Sequence, residues 1–156
     1  MNQHRRLILK GSVASGVLAV AAGAGLLTPG RVLAAWPQTA FESKELAETL
    51  KSLFGSEALT ESGDIKIKAP EIAENGAVVP VSISTTLPNV ESISIFAKNN
   101  PQPLTSTYKL GPGADAFVST RIKMGKTSDI IAVVKSGGKL LAASKEVKVT
   151  IGGCGG

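Results

Sequence analysis

The chain has very little histidine and cysteine, the side chains that many enzymes use in nucleophilic pairs and as ligands of zinc or haem. Its 156 residues include one histidine, His4, and one cysteine, Cys154. Beyond His4, the chain therefore cannot pair a nucleophile with a histidine base, and it cannot supply histidine ligands to zinc or haem. A disulfide within the chain is also excluded, because Cys154 has no second cysteine to join.

Acidic residues are missing from residues 1–34, which carry four basic residues. Arg5-Arg6 precedes a mildly apolar run over 11–27 that is rich in Ala and Gly, as is typical of a twin-arginine export signal. Small residues at the end of this segment suit signal peptidase. We therefore expect cleavage after Ala34 or Ala35 and a mature protein in the periplasm.

Long apolar runs are also missing, which argues against a membrane anchor in residues 1–34. A spanning helix needs about 20 consecutive apolar residues and gains little from small ones. A lipoprotein anchor would need a cysteine at the cleavage junction, whereas Cys154 lies far from it. We therefore expect no permanent anchor in the membrane.

The basic charge of the chain belongs largely to this segment. Residues 1–34 hold four of the 17 basic residues and none of the 12 acidic ones, so the remainder has a formal net charge of +1. A nucleic-acid partner calls for a clustered basic face. The composition therefore gives no reason to expect nucleic-acid binding.

Residues 35–151 are predicted to form one domain built mainly from strands. Ser43, as the N-cap, and Gly55, as the C-terminal stop, bracket one short amphipathic helix. Apolar and polar residues then alternate with a period of two, which indicates strands with one buried face. The predicted strands are 65–68, 79–84, 90–97, 104–110, 116–124, 129–135 and 139–151, with a bend or split near Ala142 as an option for the last.

Turn signals separate these strands, among them Asn75-Gly76 and Gly137-Gly138. About seven short strands punctuated in this way, with no second helix, indicate an all-β, immunoglobulin-like antiparallel β-sandwich. Pro80 falls inside a predicted strand. Because proline has no N–H for the ladder, we expect it at an edge or a bulge.

The last five residues form the clearest candidate site. Alternation stops at Ile151, and glycines flank a lone thiol on both sides: Gly152, Gly153, Cys154, Gly155 and Gly156. Glycine lacks a Cβ and loses the most entropy on ordering, so this segment, here called the arm, is predicted to leave the sheet and to sample many conformations. A thiol on such an arm has access to active sites of other proteins, which favours a tethered carrier.

Other interpretations of the arm remain open at this point. Cys154 could be incidental to a disordered end, or it could form an intermolecular disulfide in an oxidising compartment, giving a structural module. A thiol oxidoreductase is a third alternative. Such enzymes use a lowered thiol pKa and usually a second cysteine or a structured pocket.

The arm behind a twin-arginine signal resembles the SoxY family of sulfur-carrier proteins. The terminal Gly-Gly-Cys-Gly-Gly carries most of the resemblance, by position and composition together. Weaker supporting stretches span most of the chain from residue 35 onward: Ala69-Pro70, Ala73 to Ala77 with Val79 to Val81, Asn100-Pro101 with Pro103, and Thr120 to Ile122 before Thr127-Ser128.

The resemblance implies a carrier that is not itself an enzyme. Cys154 would be the covalent attachment site for thiosulfate-derived sulfur, and the four glycines its swinging arm. The implied partners are SoxZ in a stable heterodimer, with SoxAX, SoxB and, in complete systems, a sulfane dehydrogenase as transient partners. The haem, manganese and molybdenum of that pathway would have no ligands in this chain, so no cofactor is expected beyond the sulfur carried on Cys154.

Overall fold

The computed structural model describes residues 37–150, which form two short helices followed by nine strands. The helices are α1 (Gln38–Glu42) and α2 (Leu46–Phe54). The strands are β1 (Thr60–Glu61), β2 (Ile65–Lys68), β3 (Ile72–Ala73), β4 (Val79–Thr85), β5 (Val90–Ala97), β6 (Leu104–Lys109), β7 (Phe117–Ile122), β8 (Ser128–Ser136) and β9 (Lys139–Val149). The prediction of an all-β immunoglobulin-like sandwich is confirmed, and each of the seven predicted strands is present.

The helical region differs from the prediction in two respects. A short helix, α1, precedes the expected one, and Ser43 closes α1 instead of capping α2, since its Oγ donates to the Thr39 carbonyl at 2.8 Å. Glu45 is the N-cap of α2 and makes no side-chain capping bond. Gly55 ends α2 as predicted, with a φ of 76° in the left-handed region that glycine adopts without a steric penalty.

The larger sheet has the order β1-β9-β8-β5-β6, with β3 also pairing with β9. Its two central strands, β5 and β8, are buried along most of their length because both faces of the sheet are covered. One face packs against the smaller sheet through the main core, where Ile93, Ile130 and Val134 are fully buried. The other face is covered by the helices, and Leu50 of α2 joins Phe96 in a second cluster.

The smaller sheet has the order β2-β4-β7, with antiparallel pairing throughout. Pro80 lies in its central strand, β4, yet the ladder from β4 to β2 ends at the Ser82 and Lys68 pair. At Pro80 only β7 is paired, through Arg121. Pro80 therefore lies at an edge of the sheet, as expected, although β4 has a partner strand on each side from Ser82 onward.

Strand β9 pairs with β8 from Lys139 to Val147 without a break, so it is neither bent nor split near Ala142. Short parallel ladders join it to β1 and to β3. Both partner strands have two residues, too few to produce an alternation in the sequence. They give β9, the strand that leads toward the arm, three partner strands, more than any other strand that the structure describes.

Candidate functional site

The predicted site residues lie outside the described range of 37–150. Cys154 and the four glycines of the arm follow its last residue, and Arg5 and Arg6 precede its first. What the structure describes is the place from which the arm departs. We call this place the arm root and define it as Val149 and Thr150 with the residues that contact them.

The end of β9 is held by backbone hydrogen bonds from two directions. Beside it, β3 pairs Ile72 with Lys148 and Ala73 with Val149, and the Thr150 N–H donates to the Ala73 carbonyl at 3.1 Å. From the opposite direction, the Thr127 hydroxyl accepts the Val149 N–H at 3.0 Å. The chain is therefore fixed up to Thr150, and any freedom that the thiol has begins after that residue.

Gly76 completes the arm root because no larger residue fits there. Its carbonyl accepts the Met124 N–H at 2.7 Å. A Cβ built on Gly76 would overlap the Met124 carbonyl oxygen and would lie 2.8 Å from Cγ1 of Val149. Gly76, which precedes β4, and Met124, which follows β7, therefore pack directly against the end of β9.

Covalent geometry limits the reach of the thiol from this root. Cys154 is the fourth residue after Thr150. At 3.3–3.6 Å per residue, a fully extended chain would place its Cα at most about 13–14 Å from that of Thr150. The thiol must therefore react close to the surface of the sandwich, beside whatever protein contacts the arm root.

A groove of about 790 Å³ opens between the edge strands β6 and β7. Ser106, Tyr108 and Thr120 are among the residues that line it, and Arg121 and Lys123 bring two positive charges. Among its described lining residues there is no histidine, cysteine or carboxylate. Sequence patterns did not reveal this groove, because it depends on which edge strands face each other.

Residues 37–150 show neither a metal-binding cluster nor a membrane-spanning helix. Residues 37–150 contain no cluster of three or more histidine, cysteine, aspartate or glutamate side chains arranged to hold a metal ion. No helix in this part of the chain is long and apolar enough to span a membrane.

Comparison with known proteins points to one family. The family model described as sulfur oxidation protein SoxY matches residues 50–154, a range that includes Cys154. Among solved structures, the sulfur carrier protein SoxY from Chlorobium limicola f thiosulfatophilum is 46% identical, with a TM-score of 0.63 over 69% of this chain and 97% of that chain.

More distant structures share only the fold. A variant of the superoxide reductase (neelaredoxin) from Ignicoccus hospitalis is 24% identical, with a TM-score of 0.50 over 55% of this chain and 79% of that chain. At that identity the likeness concerns the sandwich and not its chemistry. No curated protein sequence matches this chain significantly.

Proposed function

The chain belongs to the SoxY family of sulfur oxidation proteins, and we propose that it carries thiosulfate-derived sulfur covalently on Cys154. The observation that carries the proposal is the family match through residue 154, which includes the single thiol of the chain. Sulfur is the appropriate attachment atom because thiolates attack sulfur and release it again reversibly. A hydroxyl group could not do this.

Loading joins two sulfur atoms and removes two electrons. The Cys154 thiolate and the terminal sulfur of thiosulfate form a new S–S bond, giving a cysteine S-thiosulfonate, and the two electrons pass to a partner enzyme that can accept them. In the scheme that the family resemblance implies, this partner is the haem enzyme SoxAX. The chain supplies the thiol and its position, whereas the electron acceptor belongs to the partner.

Release of sulfate is a hydrolysis and needs no further oxidant. Water attacks the terminal sulfonate sulfur, the S–S bond to that sulfur breaks, sulfate leaves with the loss of two protons, and a cysteine persulfide anion remains. SoxB is the implied hydrolase. A sulfane dehydrogenase would oxidise the persulfide in a complete pathway.

Activation of the thiol is delegated to these partners. A free cysteine has a pKa of about 8.5, and a positive charge beside it would favour the thiolate. No lysine or arginine adjoins Cys154 in sequence. This environment suits a thiol that stays unreactive in solution and is activated inside an enzyme, so we propose a carrier and not an enzyme.

The proposal extends to location and assembly. Arg5-Arg6 supports export to the periplasm by the twin-arginine route, and changing both residues to lysine should abolish the periplasmic pool of the protein while leaving its fold intact. The family supports a heterodimer with SoxZ. A one-to-one complex on co-expression is the expected result, and a chain that stays monomeric with SoxZ present would contradict it.

The function is tested by comparing the chain with its Cys154→Ser variant. Both are purified with SoxZ and incubated with thiosulfate and the loading enzyme, and adducts are measured by intact mass. We expect an adduct on the unaltered chain that a thiol reductant removes, and none on the variant, with equal circular dichroism. An adduct on the serine variant would show that the attachment site lies elsewhere.

A further inference from the structure

The outer face of the small sheet is uncovered in the part of the chain that the structure describes. Alternation along β2, β4 and β7 sends every second residue away from the core, and the pairing register places these residues side by side. They are Lys66, Lys68, Pro80, Ser82, Ser84, Phe117, Ser119 and Arg121. The large sheet differs, because its own outer face is covered by α1 and α2 through the second apolar cluster.

This face carries charge of one sign. Lys66, Lys68 and Arg121 are exposed, and none of the eight outward positions is a carboxylate. Within residues 37–150 these three cations have no ion pair, whereas Lys98 and Lys135 each contact an acid. Of the nearest acids along the chain, Asp64 and Asp115 precede β2 and β7 at the end of the sheet remote from the arm root. Glu71, three residues after Lys68, lies beside the end of β9, where its carbonyl accepts the Lys148 N–H at 2.9 Å.

The centre of the face is flat and its margins are partly apolar. Small side chains occupy the middle, where the hydroxyls of Ser82 and Ser119 lie 3.0 Å apart in a hydrogen bond across the strands. Phe117, beside Ser84, is 55% exposed, and Val78, just before β4, is 50% exposed. Aromatic residues and arginine are enriched in protein interfaces, and this face exposes one of each in Phe117 and Arg121.

The arm root lies at one end of this face. Val79 and Ile122 form the last pair of the β4–β7 ladder. Beyond that pair, Gly76 and Met124 join through their backbones and close on Val149. Arg121 is therefore one strand position from residues that lead straight into the arm root. A protein seated on the face would have Cys154 within the span of about four extended residues.

We propose that this outer face is the docking surface for an acidic surface on the enzyme that loads the arm, an inference that rests on the proposed function. Three unpaired cations steer an acidic partner and raise the rate of encounter, while Phe117 provides an apolar anchor. Docking beside the arm root makes entry of the thiol an intramolecular step with a high effective concentration. The arm itself offers an enzyme few groups to recognise, so the docking surface on the sandwich would supply the specificity.

The test reverses the charge of the face in the SoxZ complex. The variant Lys66→Glu/Lys68→Glu/Arg121→Glu is compared with Lys51→Glu/Lys109→Glu/Lys139→Glu, which changes the net charge equally at exposed positions elsewhere. The neutral variant Lys66→Gln/Lys68→Gln/Arg121→Gln serves if charge reversal impairs folding. Each protein is loaded enzymatically with thiosulfate, and Cys154 is titrated separately with a small thiol reagent.

We expect kcat/KM for enzymatic loading of the face variant to fall about tenfold or more at low ionic strength, mainly through KM. The deficit should shrink at about 1 M salt, where charges are screened beyond about 3 Å. The control variant should load as the unaltered chain does, and reaction with the small reagent should be equal in all of them.

Three results would overturn the proposal. Equal loading of the face variant and its control would refute the docking surface but would leave the proposed carrier function standing. Loss of SoxZ from the face variant alone would assign the face to the heterodimer. Failure of the unaltered chain to acquire any adduct would refute the proposed function, and the docking surface with it.

Discussion

Gly76 is the residue on which the geometry of the arm root depends most directly. A methyl group there would meet the Met124 carbonyl oxygen, which is backbone and cannot rotate away, and Cγ1 of Val149 at 2.8 Å. Relief of this overlap requires β9 to shift relative to the β4–β7 pair. The position therefore accepts only glycine, and the reason is the lack of space for a Cβ and not a positive φ.

We predict that Gly76→Ala lowers the free energy of unfolding by about 1–3 kcal/mol, the usual range for overpacking. The matched control is Gly63→Ala, since a Cβ at Gly63 has no heavy atom within 4 Å. That variant should stay within about 0.5 kcal/mol of the unaltered chain. Urea denaturation of all three proteins gives the comparison, and equal stability of the two variants would contradict the steric account.

The sequence predicts local structure correctly where a single residue determines the backbone, and it misleads where two nearby groups compete for one hydrogen bond. Gly55 ends α2 as predicted because its left-handed φ of 76° favours glycine. Ser43 was wrongly predicted as the N-cap of the helix. Its hydroxyl has an equally local partner in the Thr39 carbonyl, since α1 ends immediately before it. Helix α1 has five residues, and so short a segment leaves no helical period to detect.

At the scale of elements, Glu91 of β5 joins its own strand to the β8–β9 hairpin. Its carboxylate accepts from Lys135 Nζ at 2.8 Å and from the Gly138 N–H at 3.1 Å. The side-chain hydrogen bond from Lys135 is the main cause that lowers the pKa of Glu91 below 4.5, and the Gly138 N–H adds to it. Both contacts hold the turn that leads into β9.

The sign of the pH dependence follows from that lowered pKa. A carboxyl whose pKa is lower in the folded state stabilises the fold above its ordinary pKa, and the contribution is lost as pH falls through the folded value. Glu91→Gln should therefore be less stable than the unaltered chain near pH 7, by a small and salt-sensitive amount, and equally stable well below pH 4.5. Urea midpoints at the two pH values, with Glu57→Gln as an exposed control, test this. A difference that persists in acid would contradict it.

The arm is the other element whose physical properties matter. If it is an access device, bulk beside the thiol should hinder entry into enzyme active sites. Gly153→Val/Gly155→Val adds β-branched side chains on both sides of Cys154 and removes the access of glycine to positive φ. We expect enzymatic loading and sulfate release to slow at least about tenfold, while small thiol reagents react at nearly the original rate. Unchanged enzymatic turnover would show that the arm is a plain chain end.

The strands were predictable because one face of each is buried and alternation records that burial. Pairing and register were not, because strands separated by long stretches of chain meet only in the folded sheet. For example, the register that places Lys68 beside Ser82 and Ser82 beside Ser119 cannot be inferred from the alternation within each strand. The docking face and the arm root therefore emerge only from the structure, whereas Cys154 among its glycines is evident in the sequence.

At the scale of the whole molecule, our proposals divide the work between the described sandwich, which would select partners, and the arm, which would carry sulfur. No described side chain supplies a metal site, and the groove between β6 and β7 lacks a histidine or carboxylate base. The uncovered cationic face lies beside the arm root. The position of this face suits a carrier whose partner enzymes recognise its surface.

The central claim is that Cys154 holds sulfur in the cell, and intact mass spectrometry tests it most directly. The protein is recovered from the periplasm of cells grown with thiosulfate, and its mass is measured before and after treatment with a thiol reductant. The account predicts sulfur-containing adducts that the reductant removes and that map to the C-terminal peptide containing Cys154. An unmodified mass in thiosulfate-grown cells, or an adduct that maps to another peptide, would contradict it.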